Sequence, residues 1–133
     1  MLPLIRSHAA FERAEAGIDV AALRSAFERK PSWLAAWIAT QRGGPVGYAT
    51  ATVDFSTWTG RRFLHLDCLF VRQDCRGSGI GAALLYAVRA YAAARSLSEV
   101  QWQTPDWNED AARFYRRQGA SMLRKSRFVL RVD

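Results

Sequence analysis

The segment FLHLDCLFVRQDCRGSGIGAALLYAVRAYAAAR, residues 63–95, joins an apolar strand to an amphipathic helix through a short polar loop. Residues 63–71 are almost continuously apolar, which predicts a buried central strand. From about Gly79 to Arg95 apolar residues recur at helical spacing, and the expected buried face consists of Leu84, Leu85, Val88 and Tyr91. The polar loop, residues 72–78, therefore leads from a strand into the N-terminus of a helix.

The end of this loop, Arg76-Gly77-Ser78-Gly79-Ile80-Gly81, has the composition of an anion-binding site. Small residues let a ligand approach the backbone closely. The first N–H groups of the following helix have no partners within the helix, so they can bind an anion. The sequence thus predicts phosphate binding here, with an ordinary glycine-rich loop as the alternative.

Three phosphate-binding motifs are candidates. A P-loop needs Gly-Lys-Ser/Thr after its glycines, and the chain has none. The dinucleotide fingerprint matches at Gly77-x-Gly79-x-x-Ala82, but residues 72–76 separate it from the strand, and no acidic residue ends the next predicted strand. The third motif, Arg-x-x-Gly-x-Gly, is met by Arg76, Gly79 and Gly81. It resembles the acyl-CoA pyrophosphate loop of the GNAT superfamily of N-acetyltransferases.

The remaining elements are predicted from periodicity and from turn residues. We expect helices at Leu4–Ala16, Val20–Glu28 and Glu109–Gln118, with Asp19 as the N-cap of the second. We expect strands at Trp33–Thr40, Val46–Val53 and Val100–Gln103, one or two strands after Met122, and turns at Gly43–Pro45 and Ser56–Gly60. This order predicts a mixed α/β (α+β) domain with a mostly antiparallel sheet and one parallel strand pair. The GNAT resemblance implies a twisted sheet whose parallel strands splay apart, flanked by about four helices.

A second pattern, Asn108-x-x-Ala111-x-x-Phe114-Tyr115-x-x-x-Gly119-Ala120, resembles the second GNAT signature. Helical spacing places Asn108, Ala111 and Tyr115 near one face. The resemblance implies that Asn108 binds the pantetheine or pyrophosphate arm and that Tyr115 is the general acid. The acetyl-CoA site it implies consists of Leu69, Phe70, Val71, Arg76, Gly77, Ser78, Gly79, Ile80, Gly81, Asn108, Ala111 and Tyr115.

The run from Phe55 to Gly60 and the strand Leu64–Val71, together with Trp107-Asn108-Glu109, resemble the spermidine/spermine (diamine) N-acetyltransferase branch. The likeness covers about Leu4 to Val132, although the usual first strand is missing before Leu4. Asp67-Cys68 replaces a Glu-Asp pair of that branch, and Ser56 replaces an Asp. The acceptor site that the resemblance implies consists of Glu12, Ser56, Trp58, Asp67 and Cys68.

The resemblance implies direct transfer of an acetyl group from acetyl-CoA to a primary amine. Asp67 is expected to be a buried carboxylate that accepts the amine proton through water, with a structural carboxylate as the alternative. A backbone N–H of Leu69–Val71 is the implied donor to the carbonyl oxygen. Since the chain has lost two carboxylates that would pair with a polycation, a smaller amine, an amino acid resembling thialysine or an aminoglycoside fits besides a polyamine. A protein lysine or N-terminal acetyltransferase of the same fold stays open.

Composition limits the remaining possibilities. The 133 residues suit one domain, 1–133, and a formal charge of +7 favours an anionic partner. The arginines are scattered over several elements, which disfavours a basic nucleic-acid-binding module. Without a long apolar stretch or a signal peptide, we expect a cytoplasmic protein with reduced cysteines and no membrane partner. His65-x-x-Cys68 offers too few ligands for a metal site, and the resemblance implies a homodimer.

Overall fold

The computed structural model describes residues 1–29 and 34–132, which form two compact units, Met1–Gln103 and Thr104–Asp133. The first unit contains helices α1 (Leu2–Phe11), α2 (Val20–Glu28) and α3 (Ile80–Ala94). Its strands are β1 (Ala35–Gln41), β2 (Gly44–Ser56), β3 (Arg61–Val71) and β4 (Val100–Gln101). The second unit contains helix α4 (Glu109–Arg117).

The four strands form one sheet in the order β1-β2-β3-β4. The first three are antiparallel neighbours, whereas β3 and β4 are parallel. The predicted mixed α/β fold with an internal third strand and one parallel pair is therefore confirmed. No helix among the described residues is both long enough and apolar enough to cross a membrane.

Helices α1 and α3 pack against opposite faces of the sheet. Successive residues of a strand point to opposite faces, and Gly47 lies against Leu84 of α3 while Tyr48 packs against Leu4 of α1. The buried residues of α3 are Leu84, Leu85, Val88 and Ala92. The predicted core residue Tyr91 is instead half-buried, and its ring packs edge-on against Trp37, with ring centroids 5.2 Å apart.

At Gly47, β2 lies close to both β3 and α3. A Cβ there would lie 2.9 Å from the Phe70 carbonyl oxygen and 3.3 Å from Leu84 Cδ1. We expect Gly47→Ala to destabilise the protein by about 1–3 kcal/mol, because the well-packed strand and helix must move apart. Gly44→Ala on the same strand is the control, since its nearest neighbour is 3.9 Å away. Equal unfolding free energies of the two variants in urea would contradict this packing.

The first helix ends earlier than predicted. It stops at Phe11, with Glu12 as its C-cap, and not at Ala16. The reason is Arg13, whose φ of 61° places it in the left-handed region that ends helices. The second helix has the predicted bounds, and the Asp19 side chain accepts a hydrogen bond from the Ala22 N–H at 2.7 Å.

The prediction of strands after Met122 is wrong for the described residues, since residues 120–132 have no regular secondary structure. Leu123, Phe128 and Leu130 are largely exposed. An alternating apolar pattern forms a strand only where a neighbouring strand pairs with its backbone. The predicted strand Trp33–Thr40 is β1 from Ala35 onward, while Trp33 lies outside the described residues.

Candidate active site

A β-bulge interrupts the pairing of β2 with β3 at Asp67. Thr50 pairs with Cys68 and Ala51 with Leu66, so that Asp67 has no partner on β2. Bulges of this kind re-aim side chains and are frequent beside active sites. The prediction that Asp67 is buried is wrong, because the bulge leaves its side chain exposed to solvent.

The edge of β3 beyond this region lies open on the β4 side. The two strands pair only at Leu64↔Val100 and His65↔Gln101, so the predicted divergence of the parallel pair begins just after His65. The stretch Leu69–Val71 therefore has β2 on one side and no described strand on the other. Such an edge can bind an extended ligand through its backbone groups.

The glycine loop leaves open space above its backbone. Gly77 and Gly79 have φ values of 81° and 84°, and a Cβ at either position would meet nothing within 4 Å. Gly79 is the N-cap of α3 and makes no side-chain hydrogen bond, so no side chain caps the helix here. An anion can therefore reach the first N–H groups of α3, Gly81 included, without steric hindrance.

Ser78 stabilises this loop from within. Its hydroxyl donates to the Cys75 carbonyl at 2.8 Å, next to the short 3-10 turn Gln73–Cys75. The hydroxyl proton is thus used inside the loop. Ser78 can still contribute its backbone N–H.

Arg76 joins the loop to the end of β3. Its Nε donates to the Val71 carbonyl at 2.8 Å, and its guanidinium lies 4.7 Å from the Phe11 ring centroid and 5.4 Å from that of Phe70. Arg76 helps to line a cleft of about 330 Å³ whose other walls are Ser7, Phe11, Phe70, Arg72, Gln73 and Asp74. This arrangement holds a positive charge at the cleft beside the open loop.

A chain of polar side chains crosses from α1 to β2. His8 Nε2 lies 3.2 Å from Glu12 Oε1, and His8 Nδ1 lies 2.8 Å from the Tyr48 hydroxyl. The imidazole also stacks on Phe70, with centroids 5.0 Å apart. Sequence reasoning assigned His8 no role in the site. The spacing of His8 and Glu12 predicts a shared helix face, but the sequence carries no signal for the contact with Tyr48.

Cys68 lies beside this chain of groups. It packs against the cluster of Leu4, Tyr48 and Phe70. Burial raises the pKa of the Cys68 thiol, and the nearby Tyr48 hydroxyl only partly opposes this rise. Burial likewise raises the pKa of Tyr48 well above its ordinary value. Because a thiolate is the reactive form of cysteine, this environment disfavours Cys68 as a nucleophile.

The predicted acceptor residues do not all come together. Glu12 and Cys68 lie at the chain of groups described above, and Asp67 is at the bulge. Ser56 and Trp58 instead lie at the tip of the β2–β3 hairpin, roughly 20 Å along the strands from Thr50 at the usual rise per residue. Ser56 Oγ accepts from the Thr59 N–H at 3.3 Å, and Trp58 is 95% exposed.

In the second unit, α4 has the predicted amphipathic face. Asn108, Ala111 and Tyr115 are half-buried, whereas the charged residues of the helix are exposed. The Asn108 side chain accepts from the Ala111 N–H at 3.2 Å and thereby caps the helix. The Tyr115 ring packs against Phe114, with centroids 5.3 Å apart. Phe114 is likewise half-buried.

Within residues 1–29 and 34–132, no three His, Cys, Asp or Glu side chains form a group that could hold a metal ion. Cys68 and Cys75 are free thiols, as expected.

Comparisons with known proteins agree with this geometry. The model of the acetyltransferase (GNAT) family matches residues 5–120. Thialysine N-epsilon-acetyltransferase of Bos taurus is 32% identical over 92% of this chain and 78% of its own length. A crystal structure of an aminoglycoside acetyltransferase from an uncultured soil metagenomic sample, in complex with trehalose, superposes with a TM-score of 0.85 at 19% identity, covering 99% of this chain and 88% of that one. The crystal structure of the ribosomal-protein-alanine N-acetyltransferase of Brucella melitensis superposes with a TM-score of 0.72 at 27% identity. The match covers 98% of this chain and 89% of that one. The protein belongs to the GNAT family of acetyltransferases.

Proposed function

We propose that the protein transfers the acetyl group of acetyl-CoA to a primary amine of a small molecule. The observation that carries this proposal is the open glycine loop at the N-terminus of α3, beside the open edge of β3. The loop suits a pyrophosphate, and the strand edge suits the extended pantetheine arm. Acetyl-CoA, when bound, supplies the acetyl group in activated form as a thioester.

The residues proposed to hold acetyl-CoA follow from these features and from the family resemblance. Backbone N–H groups of residues 77–81 bind the pyrophosphate, and Arg76 adds a positive charge. The backbone of Leu69–Val71 binds the pantetheine arm and donates to the thioester carbonyl oxygen. Asn108 and Ala111 of α4 complete the site by resemblance. We also propose, on the resemblance alone, a homodimer.

The chain must also move two protons. An alkyl ammonium has a pKa near 10, so it must lose a proton before its nitrogen can attack. Two groups near the bulge could take that proton, namely the exposed carboxylate of Asp67 and the Tyr48 hydroxyl with His8 behind it. Tyr115 is the proposed acid that protonates the departing thiolate.

The proposed acceptor is an amino acid with a side-chain amine, as in thialysine. The support is the 32% identity to a thialysine acetyltransferase and the presence of the Glu12 and Asp67 carboxylates, which suit a compact cation better than a long polycation. A protein N-terminus is the second candidate, because a ribosomal-protein-alanine acetyltransferase shares the fold at 27% identity.

A panel of amines separates these candidates. We expect release of CoA thiol to be fastest with thialysine or lysine, slower with spermidine and an aminoglycoside, and slowest with a peptide that offers only its N-terminal amine. The assay measures kcat/KM for each amine at a fixed acetyl-CoA concentration. A peptide that exceeds every small amine would move the assignment to protein acetylation.

A further inference from the structure

Glu12, His8 and Tyr48 form a continuous hydrogen-bonded line that the resemblance to other acetyltransferases does not account for. Tyr48 is 1% exposed, whereas the side chains of His8 and Glu12 are 13% and 36% exposed. The line therefore runs from the buried middle of β2 outward to solvent at the C-terminal end of α1. Phe70 stacks on the imidazole and fixes the plane of the ring.

This arrangement keeps its hydrogen bonds whether or not the imidazole carries an extra proton. In the neutral ring, Nε2–H donates to the Glu12 carboxylate and Nδ1 accepts from the Tyr48 hydroxyl. In the charged ring both nitrogens donate, Nε2 to the Glu12 carboxylate and Nδ1 to the Tyr48 oxygen. This requires only that the Tyr48 hydroxyl rotates so that its hydrogen points away from the ring. Because His8 can gain a proton without losing either hydrogen bond, it is suited to act as a proton acceptor.

The inner end of the line faces the bulge. Tyr48, Thr50 and Cys68 share the α1 face of the sheet, directly beside Asp67. Thr50 is 4% exposed, and its Oγ1 makes no hydrogen bond of normal geometry with any described residue. The Cys68 thiol interacts with the hydroxyls of Thr50 and Tyr48 and lies 3.6 Å from the Asp67 carboxylate.

We propose that His8 takes up the proton that the acceptor ammonium loses, through the Tyr48 hydroxyl, and that Glu12 holds the imidazole in position for this. The inference deepens the proposed function and rests on it. The ammonium N–H bond breaks and the amine keeps the electron pair. Its proton goes to a solvent water at the bulge, a proton of that water goes to the Tyr48 oxygen, and the Tyr48 proton goes to His8 Nδ1. Tyr48 ends neutral, and His8 ends as an imidazolium beside the Glu12 carboxylate.

The charged and titratable groups around His8 agree with this direction of transfer. The Glu12 carboxylate on α1 lies 3.2 Å from the ring, while Tyr48 and Cys68 stay neutral because burial raises the pKa of both. Arg76 is an opposing cation, whose guanidinium lies 5.4 Å from the Phe70 ring centroid. Asp67 is exposed at the bulge, where it can hold the ammonium while His8 removes the proton.

The pH dependence of His8→Gln tests the proposal. Glutamine keeps the polar contacts but cannot accept the proton, so we expect kcat/KM for the amine to fall about 100-fold at neutral pH, as for loss of a general base. The loss should shrink as the pH rises toward 10, because the amine then arrives already deprotonated. The other histidine of the chain provides the control, and His65→Gln should keep the wild-type profile. Affinity for acetyl-CoA should be unchanged in both variants.

Two results would overturn the proposal. One is a His8→Gln profile that parallels the wild type at every pH, and the other is an Asp67→Asn variant that alone shows the pH-dependent loss. Nitrogen-15 NMR of the His8 ring gives a readout that needs no activity. We expect the Nε2–H tautomer in the neutral ring and loss of the hydrogen bond to Nδ1 in Tyr48→Phe. If the wild type acetylates no amine at all, the proposed function fails, whereas this NMR result still decides whether the line of groups exists.

Discussion

Gly79→Ala is expected to lower the affinity for acetyl-CoA about 100-fold, or about 2.7 kcal/mol. Gly79 has a φ of 84°, a conformation that costs an alanine about 1–2 kcal/mol. The loop relieves this strain by turning its N–H groups away from the phosphate, and each hydrogen bond to a charged group contributes about 1.5–3 kcal/mol. The added methyl group also occupies the open space in which we place the pyrophosphate. Calorimetric titration measures the effect.

The β1–β2 hairpin offers a matched control. Gly43 has a φ of 77°, and a Cβ there meets nothing within 4 Å, as at Gly79. Gly43→Ala therefore introduces similar backbone strain at a position more than 30 residues before the glycine loop in the sequence. We expect the two variants to lose similar thermal stability, while only Gly79→Ala loses affinity. Equal acetyl-CoA affinities in the two variants would remove the loop from the cofactor site.

Tyr115→Phe is expected to lower kcat about 100-fold, at the lower end of what a general acid contributes. The effect is limited because a thiol with a pKa near 8.5 is a good leaving group even unassisted. Affinity for acetyl-CoA should change little, since phenylalanine keeps the ring that packs against Phe114. Steady-state kinetics together with calorimetry separate the two effects.

Tyr86→Phe is the control for this variant, because Tyr86 is 74% exposed on α3. It should retain wild-type turnover. If Tyr115→Phe also retains it, Tyr115 is not the acid and its half-buried ring has a structural role.

The parts of the fold that sequence reasoning predicted correctly are those that local patterns determine. Helix α2 and its Asp19 cap, the long strand β3 and the start of α3 follow from periodicity and from residues that lie within a few positions of one another. The end of α1 was missed because an arginine in the left-handed region has no sequence signature. The strands predicted after Met122 failed because strand formation needs a partner that the segment does not itself supply.

In the candidate site, too, the features set by local sequence could be predicted, and those set by contacts between distant residues could not. The glycine loop could be predicted because its geometry is built by consecutive residues, whereas the bulge at Asp67 depends on the register between two strands. The contact between His8 and Tyr48 joins residues 40 positions apart, so it arises only when α1 packs on the sheet. Tertiary packing thus supplies the proposed proton acceptor, while the family motifs supply the proposed donor site.

The most direct test of the proposed acetyl-CoA site is a calorimetric titration of the unmodified protein with acetyl-CoA, with duplex DNA and RNA titrated in parallel. We predict saturable binding of one acetyl-CoA per chain and only weak, salt-sensitive binding of nucleic acid to the basic surface. No heat with acetyl-CoA, together with tight binding of nucleic acid, would contradict the proposal that the glycine loop holds a CoA pyrophosphate.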